Sequence, residues 1–278
     1  MGDIKAIWFD LDDTLYDHTY SVCLGMEAVL ERYPVFSSHP SAEKRGATVG
    51  HAHGESVGRR TSIELAGCYN CALNVVYVEY VRGEIEFVEM RRRKLKLFYE
   101  LAGIDEREAP AMDDFHRIYD EGYGSERRAT PGSLELLEQL RGDGIRLGIL
   151  TNGKQAIQED KLRAIGMEWM IPNLLTAERA QATKPDSRIY AWALAQTGYS
   201  AGEVLMVGDS MENDVEAALR CGLSAVLYAP GGTDQTVTTA HGDAPVIREW
   251  SGLIELIEGA CTLSSARPAA LKHGNTPR

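Results

Sequence analysis

Apolar positions along the chain fall into two alternating patterns. Short runs over residues 4–9, 145–150, 171–175, 204–207 and 225–228 are continuous enough to be strands buried on both faces. Between and after them, residues 131–141, 154–165, 186–196, 213–220 and a segment including 253–257 read as helices, the first with Pro131 in its opening turn. Strands alternating with helices predict βαβ units. The expected fold is therefore a doubly wound α/β fold, a parallel sheet with helices on both faces.

A different kind of sequence separates the first strand from the rest. Residues 17–33 read as a helix stopped by Pro34, and 61–82 as a helix broken by Gly83. Over 84–102 the apolar positions Ile85, Val88, Leu95, Phe98 and Leu101 recur at helical spacing, and Gly103 follows as a C-terminal stop. Residues 112–121 predict one more helix. Residues 37–60 are rich in Ser, Gly, His and Arg, without a period, and read as a loop or a poorly formed helix. The expected organisation is a core made of 1–16 and 129–261, a helical insert over 17–128, and a frayed tail over 262–278. An insert leaving directly from the first strand sits above that strand's C-terminal end. In open α/β sheets that edge is where ligands bind.

Composition adds little to this picture: 278 residues, 44% hydrophobic and 25% charged, describe an ordinary globular chain. Charge adds more. Forty-one acidic residues against 29 basic ones give a formal charge of −12 and a pI near 5.1. Such a surface repels nucleic-acid phosphates and anionic lipids, so neither is an expected partner. No apolar run approaches the ~20 residues that span a bilayer. The opening residues lack a signal-peptide pattern, and Ala6 breaks the N-myristoylation pattern. The cysteines, Cys23, Cys68, Cys71, Cys221 and Cys261, are an odd number and read as reduced thiols in a cytoplasm.

The candidate chemistry lies where strands end. Four segments fall there: Asp10-Leu11-Asp12-Asp13-Thr14, Thr151-Asn152-Gly153, Lys184-Pro185, and Gly208-Asp209-Ser210 with Asp214 following. Carboxylates gathered at adjacent strand ends repel one another, and a divalent cation removes that repulsion. Oxygen ligands of this kind suit Mg²⁺ better than Zn²⁺. A lysine and a hydroxyl beside such a cation make a site for a phosphoryl group.

In these four segments, and in their order, the chain resembles the haloacid dehalogenase superfamily of phosphohydrolases, over about residues 4–260. The insert between the first and second segments is similar to that superfamily's C1 cap. The resemblance implies a phosphoric monoester hydrolase in which Asp10 is the nucleophile. Asp12 is then the general acid and base, and Thr151, Asn152 and Lys184 hold the phosphoryl oxygens. Mg²⁺ is held by Asp10, the Asp12 carbonyl and Asp209, with Asp214 completing the metal site through water or by orienting its neighbours. Asp13 is implied as a turn residue, and Thr14 as support for the loop. Members that attack carbon lack an acid two residues after the nucleophile, so Asp12 favours phosphoesters over carbon–halogen bonds. Thr-Asn-Gly in the second segment is similar to acylneuraminate-type phosphatases and to nucleotidases, which implies a sugar phosphate or a nucleoside monophosphate. A phosphomutase, a 2-haloacid dehalogenase and a non-catalytic binding module are the alternatives.

Three further features have bland readings beside sharper ones. Cys68 and Cys71, with His51 and His53 upstream, offer zinc-ligand types, but the run reads as helix and the spacing matches no familiar finger. The basic run Arg91-Arg92-Arg93-Lys94 reads as a solvated face paired with Glu84, Glu86 and Glu89, and nothing selects one member as a substrate contact. Tyr16 and His18, by position alone, are expected at the entrance to the site.

Overall fold

The computed structural model describes residues 4–37 and 60–265. Seven strands form one sheet in the order β3-β2-β1-β4-β5-β7-β6. They are β1 (Ala6–Phe9), β2 (Arg146–Thr151), β3 (Asn173–Thr176), β4 (Val204–Gly208), β5 (Ser224–Tyr228), β6 (Thr236–Thr239) and β7 (Gly242–Ile247). All neighbours run parallel except β6 with β7.

β1 is central and buried on both faces. Ile7 and Phe9 point into one cluster with Leu136, Leu137, Leu140 and Leu253, from α5 (Ser133–Gly142) and α10 (Trp250–Ser265). Ala6 and Trp8 point into the other, with Ile189, Tyr190 and Ala193 of α8 (Ser187–Thr197). This alternation is the two-residue period of a strand with helices on both faces. Each fully buried Ile or Phe contributes about 1.5–3 kcal/mol, so a charge at Ile7 would break the sheet at its centre.

Between β1 and α5 the chain forms α1 (His18–Arg32), α2 (Ser62–Val81), α3 (Phe87–Ala102) and α4 (Met112–Ser125). Thr61 and Glu64 close a capping box that starts α2. This cap has its own core, an aromatic cluster in which Phe98 lies 5.7 Å from Phe115 and stacks on Phe36 at 6.0 Å. Cap and core meet where Val81, at the end of α2, joins the cluster that contains Trp8.

Some expectations need correction. α5 starts at Ser133, so Pro131 precedes the helix, and Gly132 caps it in a left-handed conformation (φ 80°). α3 begins at Phe87 and buries Met90, Lys94, Leu95, Phe98, Tyr99 and Ala102. Val88 and Leu101 are exposed because the cap core lies on the other side of the helix. Residues 211–216 form one π-helical turn before α9 (Ala217–Arg220), in place of a single helix over 213–220. The β6–β7 hairpin lacks an apolar run: only Ala244 and Ile247 are buried, so this edge carries no core signal. A short α7 (Ala177–Ala180) also went unforeseen. Most of 37–60, with His51 and His53, lies outside the described residues, as does the tail beyond 265. Cys68 and Cys71 sit on α2, half-buried and exposed.

Candidate active site

Register brings the four segments together. Phe9 pairs with Ile149 on one side and with Val207 on the other, so β1, β2 and β4 end at one level. The Asp10 amide donates to the Val207 carbonyl at 2.9 Å, carrying the ladder one residue past β1. Asp13 turns the chain back in a left-handed conformation (φ 59°), and its carboxylate accepts from the Thr19 amide and hydroxyl at 2.7 and 2.8 Å. The Thr14 hydroxyl accepts from the Asp209 amide at 3.1 Å, tying the first segment to the fourth.

The Lys184 amine donates to Asp10 Oδ1 and to Asp214 Oδ1, each at 2.6 Å. All three residues are buried, at 4%, 8% and 1% exposure. Burial opposes the lysine's charge, but the two carboxylates outweigh it and hold the amine protonated above its ordinary range. Asp10, Asp209 and Asp214 each offer an oxygen, and these oxygens lie within 4.8 Å of one another. Burial holds Asp10 well above its ordinary value; Lys184 opposes the rise, and Asp214, Asp209 and Asp12 add to it. Asp209 keeps one side open to solvent, yet burial of its carboxylate and the charges of Asp214 and Asp13 push it up to about 7. Three carboxylates against one ammonium leave two negative charges when all are ionised. A hard divalent cation fits that donor set and that charge. Among the described residues this is the one grouping of potential metal ligands.

Asp12 faces a different partner set. Its Oδ1 accepts from the Lys161 amine at 2.5 Å and its Oδ2 from the Gln158 amide at 3.2 Å, and His18 Nδ1 stands 3.9 Å away. Burial alone would raise its pKa, but Lys161 and His18 outweigh burial and lower it to about 2. Its carboxylate is thus outside the three-oxygen cluster. Gln158 also donates to the Thr151 hydroxyl at 2.8 Å. Asn152 spends its side-chain amide on the Lys184 backbone, donating to the carbonyl at 2.9 Å and accepting from the amide at 2.6 Å. These two bonds tie the second segment to the third. Gly153 and Gly208 make these approaches possible. A Cβ would fall 2.1 Å from Gln158 in the first case and 2.3 Å from Asp214 in the second.

Gln158 and Lys161 went unpredicted. They lie three apart on α6 (Gln155–Ala164), directly after the second segment, which is the spacing that turns both toward the strand end. His18 lines the site as expected. Tyr16 does not: it is fully buried where Tyr16 bridges Ala129, and its hydroxyl meets Ser21 at 2.9 Å. Above these groups a cleft of about 820 Å³ opens between core and cap. Its cap wall includes Tyr69, Leu73, Tyr77, Met90, Arg91 and Lys94. The basic run splits there. Arg92 and Arg93 pair outward with Glu89 at 2.8 and 2.7 Å, while Arg91 and Lys94 face the cleft.

Residues 4–222 match the haloacid dehalogenase-like hydrolases. A ribulose-1,5-bisphosphate 5-phosphatase of Halopiger xanaduensis is 30% identical over 230 residues, 81% of this chain and 84% of its own. A phosphoglycolate phosphatase of Caulobacter vibrioides is 27% identical over 208 residues, 71% of this chain and 86% of its own. Among solved structures, a dehalogenase with an intermediate complex aligns at a TM-score of 0.66 and 18% identity, over 92% of this chain and 98% of that one, a likeness of fold alone. The matched residues span β1, the cap and all four strand-end segments, and the chain belongs to the haloacid dehalogenase-like hydrolase family.

Proposed function

We propose that this hydrolase is a Mg²⁺-dependent phosphatase that acts on a small phosphorylated metabolite through a phosphoryl group carried on Asp10. The observation that carries the reading is the contrast between two carboxylates two residues apart. Asp10 meets Lys184 in a buried acidic cluster, and Asp12 meets Lys161 outside it. Burial and the neighbouring carboxylates hold Asp10 protonated until positive charge reaches the cluster, so a bound cation beside Lys184 would release its ionised, attacking form, while Asp12, outside the cluster, is left to carry the proton.

In the first half-reaction an Asp10 oxygen attacks phosphorus while the bond to the leaving oxygen breaks and Asp12 supplies its proton. The anionic phosphoryl group beside Asp12 raises its affinity for that proton. In the second half-reaction Asp12 takes a proton from water, the water oxygen attacks phosphorus, and the Asp10 carboxylate departs. The ionised form that Lys161 favours is the one needed there. Lys184 and the Thr151 hydroxyl hold phosphoryl oxygens, and Asn152 keeps Lys184 in place. Asp10, Asp209, Asp214 and the main-chain carbonyl of Asp12 would hold Mg²⁺, whose charge would offset that of the phosphoryl oxygens.

We take residues 1–16 and 129–261 as the core and 17–128 as the cap. The Tyr16–Ala129 bridge and the Asp17 amide on the Arg128 carbonyl at 3.1 Å support that junction. A closed cap favours a sugar phosphate or a nucleoside monophosphate over a polymer. Four free cysteines among the described residues support a reducing, cytoplasmic setting. No helix among the described residues is long and apolar enough to cross a membrane. Phosphate release from an aryl phosphate tests the reading. It is expected to need Mg²⁺, to stop in EDTA and to vanish in Asp10→Asn. Activity surviving Asp10→Asn would overturn it, and isomerised sugar phosphate without free phosphate would mark a mutase.

A further inference from the structure

Three lysines are buried along the cleft: Lys94, Lys161 and Lys184. Two are paired, Lys184 with Asp10 and Asp214, and Lys161 with Asp12. Lys94 is 8% exposed, and among the described residues no carboxylate lies within 4 Å of its amine. What surrounds it is aromatic. The amine stands 4.2 Å from the centre of the Tyr69 ring and 5.9 Å from that of Tyr119. Asp120 on α4, the acid whose charge acts on the amine, is taken by Arg91 at 2.6 Å. An ammonium buried without a counter-ion opposes folding, so its retention asks for a partner that arrives later. The aromatic faces tolerate the charge in the meantime but do not neutralise it.

We propose that Lys94 is the cap's anchor for a second anionic group on the substrate, carried by the alcohol that leaves. This rests on the phosphatase reading, which places the reacting phosphoryl group at Asp10 and Lys184, on the core side of the cleft. The far end of a bound substrate then meets the cap wall, where Lys94 is the buried cation without a carboxylate partner among the described residues. Its pKa is lowered to about 7 by burial and by Arg91, with Asp120 opposing. An incoming carboxylate or phosphate would supply the missing charge and raise it again. Arg91, beside it on the same wall, remains bound to Asp120 and is the weaker claimant. The shared chemistry is an anionic oxygen group, found as a carboxylate or as a second phosphate.

The test compares matched phosphate monoesters of graded chain length ending in a hydroxyl, a carboxylate or a second phosphate, each assayed for kcat/KM. The wild type is expected to prefer one anionic series over the hydroxyl series. Lys94→Met is expected to reduce that preference by about 10- to 100-fold, the range for a hydrogen bond to a charged group. Arg92→Met, on the exposed side of α3, is expected to leave it unchanged. The series with the larger preference identifies the source as carboxylate or phosphate. A wild type that hydrolyses all series equally overturns the assignment without recourse to any variant, as does a Lys94→Met enzyme that keeps the preference. No hydrolysis of any series by the wild type would instead overturn the phosphatase reading.

Discussion

Replacing Lys94 by methionine is expected to stabilise the protein. The side chain is similar in length and loses only its charge. The amine's pKa falls from an ordinary 10.5 to about 7, because burial and Arg91 outweigh Asp120. That difference of about 3.5 pH units, at about 1.36 kcal/mol each, corresponds to about 5 kcal/mol of opposition to folding. The Tyr69 face, 4.2 Å away, returns up to ~2 kcal/mol, which the methionine forgoes. The net gain is therefore about 3 kcal/mol. Its pH dependence is the sharper signature. Between about 7 and 10.5 the unfolded chain holds a proton on Lys94 that the folded chain does not, so wild-type stability rises with pH across that window. The burden is full below about 7 and gone above about 10.5. Urea unfolding of wild type and Lys94→Met at about pH 6.5 and about pH 9.5 checks both points. The variant should be the more stable at the lower pH, with the gap narrowing at the higher one. A variant less stable than wild type at the lower pH, or a gap of equal size at both, would refute the claim of an unpaired buried cation.

Other variants probe the groups around Asp12 and Lys184. Lys161→Met removes the main force holding Asp12 at about 2. The acid limb of the pH–rate profile should move to higher pH, with kcat down about tenfold or more. Gly208→Ala would set a methyl 2.3 Å from the Asp214 carboxyl. Half-activation should then need about tenfold more Mg²⁺, read by titrating activity with the metal. Asn152→Ala frees the Lys184 main chain from both of its side-chain bonds. The expected result is a fall in kcat of about 10- to 100-fold.

The core was legible because β1, β2 and β4 are buried on both faces and read as continuous apolar runs ending in polar residues. The motif residues lie at those ends, so strand register alone brings Asp10, Thr151 and Asp209 together. The β6–β7 edge was illegible because it buries little beyond Ala244 and Ile247, and Pro245 interrupts its run. The residues that steady Asp12 and Thr151 were hidden for another reason. Gln158 and Lys161 look like the polar face of an amphipathic helix, and only the tertiary fold turns that face onto the site. Lys94 was closer to view. It falls four residues after Met90 and four before Phe98, on the stripe that α3 buries, which is an unusual place for an unpaired lysine.

The most direct test of the central claim is to look for the phosphoryl group on Asp10. The enzyme would be quenched in acid during turnover of a phosphate ester, digested, and its peptides weighed by mass spectrometry. The account predicts a phosphoryl adduct on the peptide containing Asp10, dependent on Mg²⁺ and absent from Asp10→Asn. Steady turnover with no adduct, or an adduct on another residue, would contradict it.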